Sequence, residues 1–450
     1  MRGIGSLLAL LFGMAALVSM ADQLRAATIS ANPADYRAKI ALLKPGDILK
    51  LAPGIYPLLP LGNLKGSESG WIAIEGPAHG APATITVNPA NPRCCNLIQV
   101  DNAEYLALRD LRVDSAGWVG VDGVNAKGAT HHILVENCTF VGQNGNQQTV
   151  AISTKGPAHH WTVRRNIILE AGTGMYFGNS DGRFPFIEGL VEGNFVADTI
   201  GYNIEIKWQA PYSLPAGLDN KPHKTIIRDN VLSKGKSQDQ FPAGHADGAR
   251  PNLLVGGFPD AGPGAMDYYE IHGNLIHDNH DAESLFQGSG RIVFHDNLLV
   301  GGTHAAALFR DHDLPLSIAY VFNNTVYAHG GGISVFGTPE DSLVAGNLIF
   351  SDGGISAPEH KDNIVDSFAH AANYVNSPSL MPGRMDFYPK PGGRAKGDPL
   401  NLGKFTGHVG FDRDFNGTLK GQNQYRGAYA GEGANPGWRP ERSRKAPPRP

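Results

Sequence analysis

The sequence has few charged residues and few cysteines. Charged residues make up 18% of the 450 positions and the formal net charge is −4, so the charge gives no indication of a nucleic-acid partner. The three cysteines have neither a Cys-x-x-Cys spacing nor companion histidines, which argues against a cysteine metal site. Beyond Met20 no segment is apolar enough to cross a bilayer. The 57 glycines and 31 prolines instead suit a turn-rich β solenoid.

A short phrase recurs along the chain: an apolar residue, two polar positions, an asparagine, and two or three residues of strand character. Its copies carry Asn137, Asn166, Asn194, Asn230, Asn274, Asn297, Asn324 and Asn347. A weaker copy has Asp110 in the asparagine position. Successive copies lie 23 to 44 residues apart. A motif at intervals of roughly 20–50 residues is typical of a repeat architecture.

A second series of short apolar segments lies between these phrases, so each repeat holds at least two strands joined by turns. A parallel β-helix satisfies this pattern, because each strand pairs with its copy in the next coil. The asparagine suits a tight bend, where its amide can bond the same bend of neighbouring coils as a ladder. A β-sandwich is the alternative, but the hairpin signals expected about every 8–12 residues are missing. We therefore predict an all-β fold, a single-stranded right-handed parallel β-helix with a short N-terminal capping helix.

The chain divides into four parts. Residues 1–27 have the pattern of a signal peptide, because Arg2 precedes a short apolar run and small residues suited to cleavage follow. Residues 28–350 are predicted to form the β-helix, beginning with a helix that opens at Asn32 and Pro33. An irregular extension, 351–438, and a basic, proline-rich tail, 439–450, follow. We expect the tail to be disordered.

Two stretches within the coils are long loops, 211–224 and 233–251, and they account for the widest spacings of the phrase. Long loops on a regular scaffold are usually functional. The cysteines leave two alternatives open. Cys138 pairs with Cys94 or with Cys95 in an oxidising compartment, or the thiols are buried and free.

The N-terminal block resembles exported β-helix proteins of the pectate-lyase-like superfamily, especially the polysaccharide lyases that include alginate lyases and chondroitinase B. The resemblance is carried by PGDILKLAPGIY (45–56), GWIAIEGP (70–77), ITVN (85–88) and NLIQVDNAEYLALRDLRV (96–113). It implies a lyase in which a lysine is the base, an arginine stabilises the charged intermediate, and acidic residues two apart on a strand bind calcium. Here the matching strand, YNIEIKWQ, has Glu205 and then Lys207 where the second acid would stand.

Strand alternation places Ile204 and Ile206 of this strand in the core and Asn203, Glu205 and Lys207 on the outer face. The HADGARP loop adds His245, Asp247 and Arg250, which offer a base, a metal ligand and a carboxylate clamp. The resulting predicted catalytic residues are Lys207, Arg250 and His245, and a calcium ion is expected at Glu205 and Asp247. If aromatic residues point inward on later coils, Gln287 and Arg310 align with Lys207. The predicted substrate-binding residues are Asn203, Tyr176, Asn179, Arg183, Gln287, Arg310 and His312.

The sequence thus predicts a monomeric, secreted or periplasmic enzyme without a membrane span after signal cleavage, acting on an acidic polysaccharide. A lyase that cleaves a uronate-containing glycan by β-elimination is the leading hypothesis. A glycoside hydrolase is the first alternative, since hydrolysis needs two carboxylates about 5–10 Å apart and Glu205 and Asp247 offer such a pair. A non-catalytic β-helix that binds glycan or serves a structural role is the second.

Overall fold

A computed structural model describes residues 26–446. Almost all of the predicted signal peptide lies outside the described residues. Three long parallel sheets, named A, B and C, dominate the fold, and every coil of the solenoid contributes a strand to each in turn. The right-handed parallel β-helix predicted from the sequence is confirmed. No helix within residues 26–446 has the length and apolar character needed to span a membrane.

The bounds of the strands and helices are as follows. Sheet A contains Thr28–Ala31, Ile48–Leu51, Ile72–Glu75, Glu104–Arg109, Thr130–Glu136, Ala158–His159, Thr162–Arg164, Phe186–Ile187, Leu190–Glu192, Lys224–Arg228, Tyr268–His272, Gly290–His295, Leu316–Phe322, Asp341–Ala345 and His360–Lys361. Sheet B contains Gly54–Pro57, Ala83–Thr86, Arg112–Asp114, Thr139–Val141, Ile167–Leu169, Phe195–Ala197, Val231–Ser233, Leu275–His277, Leu298–Val300, Thr325–Tyr327, Leu348–Phe350 and Ile364–Asp366. Sheet C contains Leu59–Pro60, Ile98–Gln99, Val124–Ala126, Val150–Thr154, Thr173–Phe177, Ile204–Ile206, Leu253–Val255, Phe286–Gly288, Ala307–Phe309, Ile333–Val335 and Ile355–Ser356. Outside the solenoid, Val375–Ser377 pairs antiparallel with Asp386–Pro389; the helix is Tyr36–Ile40 and the 3₁₀ turns are Gln238–Gln240, Phe368–Asn373 and Gly403–Phe405.

The asparagine ladder forms at the bend between sheets A and B. The ladder runs through Asn166, Asn194, Asn230, Asn274, Asn297, Asn324, Asn347 and Asn363. Each asparagine after Asn166 accepts at its Oδ1 from the backbone N–H and the Nδ2 of the asparagine one coil earlier, at 2.8–3.0 Å. Because the amides from Asn166 to Asn347 are buried and mutually bonded, the bend satisfies its own polar groups inside the core.

Two copies of the phrase do not belong to the ladder. Asn137 and Asp110 have φ of 56° and occupy the left-handed position that precedes the ladder residue. In the coil of Asn137, the ladder position is occupied by Cys138, whose backbone N–H donates to Asn166 Oδ1. Gly193, Gly273 and Gly346 fill the same left-handed position in other coils. Asparagine and aspartate tolerate this conformation better than most residues, so the sequence pattern alone does not separate the two positions.

The solenoid extends one coil beyond the predicted end at 350. Asn363 closes the ladder, and the strands Ile355–Ser356, His360–Lys361 and Ile364–Asp366 continue sheets C, A and B. The extension that follows packs across the outer face of sheet B, where Val300, Tyr327 and Phe350 are among the outward residues that it covers. This face is apolar and therefore requires a cover.

The described part of the tail, for which the sequence predicts disorder, makes contacts with the coils. Residues 439–446 lie against the coils, with Arg442 on Asp198, Arg444 on Asn137 and Lys445 on Asp229. Lys445 is 7% exposed and its Nζ lies 3.7 Å from the centroid of the Phe415 ring. The basic residues of the tail thus bond acidic and carbonyl groups at the bends, which a compositional argument does not reveal.

The predicted N-terminal helix is present and follows a short strand of sheet A. Its Tyr36 and Ile40 are buried against the first coils. Of the two alternatives for the cysteines, a bridge to Cys138 is wrong, because Cys94 and Cys95 are bonded to each other. Cys138 is buried and free, as the second alternative has it. Burial raises the pKa of the Cys138 thiol to about 12, consistent with a structural side chain in the ladder column.

Candidate active site on the outer face of sheet C

The two long loops stand on either side of one strand of sheet C, Ile204–Ile206. Residues 207–223 leave this strand toward sheet A, and residues 234–252 lead from sheet B to the next strand of sheet C, Leu253–Val255. The outer face of sheet C at this coil therefore lies between the two loops, and we refer to this face as the groove. The stretched intervals of the asparagine phrase indicate this same place.

The strand alternates as predicted at four positions and not at the fifth. Ile204 and Ile206 lie in the core, while Glu205 and Lys207 face outward with Lys207 Nζ 3.1 Å from Glu205 Oε1. Asn203 does not lie on the outer face. It is fully buried, and its Nδ2 donates to Thr199 Oγ1 and to the carbonyl of Ser233, because the chain bends there between sheets B and C.

Glu205 is a carboxyl group held in a nearly dry site, with only 3% of the residue exposed. Burial raises the pKa of Glu205 above its ordinary value, although the positive charges of Lys207, Arg250 and His312 oppose the shift. Tyr176, its neighbour on the preceding strand, and Tyr202 have phenol pKa values raised by burial and by the charge of Glu205. Both phenols therefore carry their protons at neutral pH.

Arg250 reaches the groove from the second loop and is held firmly there. Its guanidinium carbon lies 5.9 Å from the centroid of the Tyr202 ring. Its carbonyl accepts from Lys234 Nζ at 2.7 Å and from Asn279 Nδ2 at 2.9 Å. Lys234 is completely buried, and burial lowers the pKa of its amine to about 8. These contacts fix the backbone from which the Arg250 side chain extends.

The other predicted residues of this loop face elsewhere. Asp247 accepts from Gln148 Nε2 at 2.7 Å and from Arg250 Nη2 at 3.3 Å. His245 lines a separate pocket together with Asp198 and Lys236, and that pocket includes neither Glu205 nor Lys207. The carboxylates of Glu205 and Asp247 thus each face a cationic side chain.

A calcium ion does not fit this arrangement well, since it needs 6–8 oxygen ligands. The clustered potential metal ligands found within residues 26–446 include neither Glu205 nor Asp247. The calcium site stays a prediction.

Cationic side chains line up along the groove. Strand register puts Lys207 in one column with Gly178 on the preceding coil and with Gly256 and Ser289 on the following ones, and the same column contains Lys127, Lys155 and Arg310. Arg310 is thus aligned with Lys207, as predicted. Gln287 is not: it lies in the column of Glu205, because Phe286 aligns with Ile204 through Leu253.

Lys127, Lys155 and Asp122 are not among the site residues predicted from the sequence. Asp122 Oδ2 lies 3.1 Å from Lys155 Nζ. Both lysines directly follow a sheet-C strand, as Lys207 does. A lysine directly after a strand of the second apolar series is therefore the sequence pattern that could have identified Lys127 and Lys155. Asp122 is 3% exposed and also bonds Asn125 and Ser153. A second pair of a buried carboxylate and a lysine, Asp122 with Lys155, therefore precedes Glu205 and Lys207 along the sheet.

The predicted residues Asn179 and Arg183 lie in the turn that follows the strand Thr173–Phe177. They are tied to Asp181, at 2.9 Å from Asn179 Nδ2 and 3.0 Å from Arg183 Nε. Gly182 of the same turn has φ of 73°, a conformation that favours glycine. A Cβ at this position would lie 2.6 Å from the ring of Trp208, so the turn packs directly on Trp208, the residue after Lys207. Arg183 is exposed at the rim of the groove.

No protein-family model matches the chain, and no curated protein sequence matches it. Solved structures similar to it include the PL6 family alginate lyase AlyGC, at 14% identity and a TM-score of 0.40 over 75% of this chain and 51% of that one. Another is the pectate lyase Pel9A, at 13% identity and a TM-score of 0.46 over 87% and 86% of the two chains. A third is the GH136 lacto-N-biosidase from Eubacterium ramulus, at 11% identity and a TM-score of 0.45 over 76% and 68%. The chain spans about half the length of AlyGC. At these identities the likeness concerns the fold.

Proposed function

We propose that the protein is an exported enzyme that cleaves an acidic, uronate-containing polysaccharide by β-elimination. The observation that carries this proposal is the column of cationic side chains on sheet C, at whose centre Lys207 pairs with Glu205 between two long loops, with Arg250 near enough for its charge to act on Glu205. A polyanionic chain laid along the solenoid axis, where coils are about 4.8 Å apart, meets a cation of this column on four of seven coils, at Lys127, Lys155, Lys207 and Arg310. The apolar segment after Arg2 supports export.

β-Elimination requires three tasks from the groove. The substrate carboxylate must be neutralised, the adjacent C5 proton removed, and the leaving oxygen protonated. Arg250 neutralises the carboxylate, because its guanidinium is part-exposed in the groove and its backbone is fixed. Lys207 first passes an ammonium proton to its partner Glu205, whose raised pKa favours the protonated carboxyl, and the neutral amine then removes the C5 proton and becomes an ammonium again. The protonated phenol of Tyr176 or Tyr202 supplies the proton to the leaving oxygen.

The test is incubation of the purified protein with alginate, pectate, chondroitin and hyaluronan, with product followed by the ultraviolet absorbance of the unsaturated sugar. We expect Lys207→Ala to lower the rate by about 10²–10⁴-fold, the range for loss of a general base. Lys221→Ala is the matched control, because Lys221 also pairs with an acid, Asp219 at 3.3 Å, but is 57% exposed in the neighbouring loop. Absence of unsaturated product from all four glycans, or full activity of Lys207→Ala, contradicts the proposal. Activity that survives a chelator excludes an essential role for calcium.

A glycoside hydrolase is the second candidate, favoured by one observation. A carboxyl whose pKa is raised by burial, as in Glu205, suits the general acid of hydrolysis. New reducing ends without ultraviolet absorbance, lost in Glu205→Gln, would establish this reading instead. Glycan binding without either product would identify a binding module.

A further inference from the structure

Two successive coils each carry a pair of adjacent histidines, His131 with His132 and His159 with His160. The first pair belongs to the strand Thr130–Glu136 of sheet A and the second lies at the strand Ala158–His159, with His131 in register with His159. Four imidazoles are therefore brought together near the corner between sheets C and A. The groove on sheet C uses none of them.

The backbone turns both rings of each pair toward one another. His132 and His160 each have φ of 53°, which interrupts the alternation of side chains along the strand. His131 stacks on His159 and His132 on His160, with ring centroids 4.8 and 4.5 Å apart. Within each pair the Nδ1 atoms face each other, at 2.9 Å for His131 and His132 and 2.8 Å for His159 and His160.

Two carboxylates orient this cluster from outside. Glu104 Oε2 lies 2.7 Å from His131 Nε2, and Glu188 Oε2 lies 2.6 Å from His160 Nε2. A carboxylate at Nε2 fixes the ring proton there and leaves the Nδ1 lone pair directed into the cluster. Carboxylates orient metal-binding histidines in this way in known sites.

We propose that His132, His159 and His160 bind one divalent transition-metal ion, with Glu188 orienting His160 from outside the coordination sphere and Glu104 holding the adjacent His131. One ring nitrogen from each of the three histidines lies within 4.8 Å of the others. Neutral imidazole nitrogen is the ligand preferred by copper, nickel and zinc. Calcium and magnesium, which take oxygen ligands, do not suit this set.

The spacing of the nitrogens favours one geometry. Two nitrogens each about 2.0 Å from a metal and at right angles to each other are about 2.9 Å apart. This matches the 2.8 Å between the Nδ1 atoms of His159 and His160. A tetrahedral ion holds its ligands farther apart, whereas tetragonal Cu²⁺ and Ni²⁺ hold them at right angles. The site should therefore take Cu²⁺ in preference to Zn²⁺.

The competing interpretation is a purely structural stack of aromatic rings. Tyr105 stacks on His132 with centroids 4.4 Å apart, and Trp71 meets Tyr105 edge to face, so the column continues beyond the histidines. A ladder of this kind needs rings but no nitrogen lone pairs. Phenylalanine preserves the stack and removes the ligand, so His→Phe substitutions separate the two interpretations.

The experiment titrates the chelator-treated, untagged full chain with CuCl₂, NiCl₂ and ZnCl₂ by calorimetry, and measures metal per chain after gel filtration. We expect one equivalent of Cu²⁺ to be retained, with nitrogen ligands in its electron paramagnetic resonance spectrum. His159→Phe and His160→Phe should each weaken binding by at least about 10–100-fold, the range known for orienting partners alone, while the melting temperature stays near that of the parent. His360→Phe is the matched control, because His360 is exposed and lies on the same sheet.

Failure of the parent protein to retain any of the three ions overturns the proposal, as does binding that persists unchanged in His159→Phe and His160→Phe. Oxygen-only coordination of Cu²⁺ in the resonance spectrum also overturns it. The assay requires no substrate, so its outcome is independent of the lyase test.

Discussion

The outer faces of sheets B and C are built by the same coils, yet they have opposite chemistry. Outward positions of sheet B in the later coils are apolar, with Leu298, Tyr327 and Phe350 packed under the C-terminal extension. The outward column of sheet C contains Tyr176, Glu205 and Gln287, and these residues are not part of the core that the described extension, 367–446, forms with sheet B.

The difference shows how a solenoid separates stability from chemistry. Inward residues are fixed by the core and the bend by its ladder, so only outward residues are free to vary from coil to coil. An apolar outward face binds another part of the chain, which lengthens the core. A polar outward face between long loops remains available to a ligand.

Phe350→Ala should give the largest effect on the covered face. The ring is fully buried and lies 5.2 Å from Tyr374 of the extension, between centroids. Removing it leaves a cavity, for which we expect a loss of about 3–5 kcal/mol in the free energy of unfolding, measured by denaturant titration. Activity per folded molecule should not change. Ser334→Ala, on the outward column of sheet C, is the control and should be nearly neutral. Equal losses in both variants would mean that the two faces do not differ.

The sequence predicts the solenoid well because its strongest signals are local. Asn274 and its equivalents repeat at a bend that each coil must make, and Ile204 and Ile206 alternate with Glu205 on a short strand. The alternation fails at Asn203, where the bend between sheets B and C turns the side chain into the core. Only the backbone path reveals that exception.

Long-range docking is what the sequence could not show. Lys445 bonds Asp229, more than 200 positions earlier, and nothing in its basic, proline-rich surroundings indicates that contact. The sequence predicts Arg250 as a carboxylate clamp but does not indicate that the Tyr202 ring lies beside it, because the path of this loop depends on contacts such as the bond from buried Lys234. The histidine cluster likewise depends on the register of two coils.

Glu270→Gln tests whether a buried charge, as well as apolar contact, holds the extension on a covered outer face, here that of sheet A. Glu270 is fully buried and accepts from His408 and from the backbone N–H of Val409 in the extension, with Lys224 3.3 Å away. Burial favours the neutral acid, but these partners prevail and hold the pKa of Glu270 below its ordinary value. A lowered carboxyl pKa stabilises the fold above the unfolded pKa of about 4.3, and this contribution is lost as pH falls through the folded value.

The variant should therefore lose about 1.5–3 kcal/mol of unfolding free energy at pH 7, the range for hydrogen bonds to a charged group. The difference in unfolding free energy between parent and variant should narrow as the pH falls below about 4.3. There the Glu270 carboxyl of the unfolded parent gains a proton, and at lower pH the folded parent does so too. Denaturant midpoints at a series of pH values measure both. A gap that stays constant with pH would show that the charge of Glu270 does not hold the extension.

Arg310→Ala tests the open face with the smallest expected effect. Arg310 is exposed and stands three coils from Lys207 in the same column, roughly 14 Å away, which is too far for one catalytic contact but suits a separate sugar of an extended substrate. We expect KM to rise about 3–10-fold, kcat to hold, and stability to change by less than about 0.5 kcal/mol. The salt dependence of KM should also weaken, because one screened charge contact is lost. Arg384→Ala, an exposed arginine on the extension, is the control. If Arg310→Ala and Arg384→Ala both bind glycan as the parent does, the cationic column does not bind the substrate. The outer faces of sheets B and C would then differ only in whether the extension covers them.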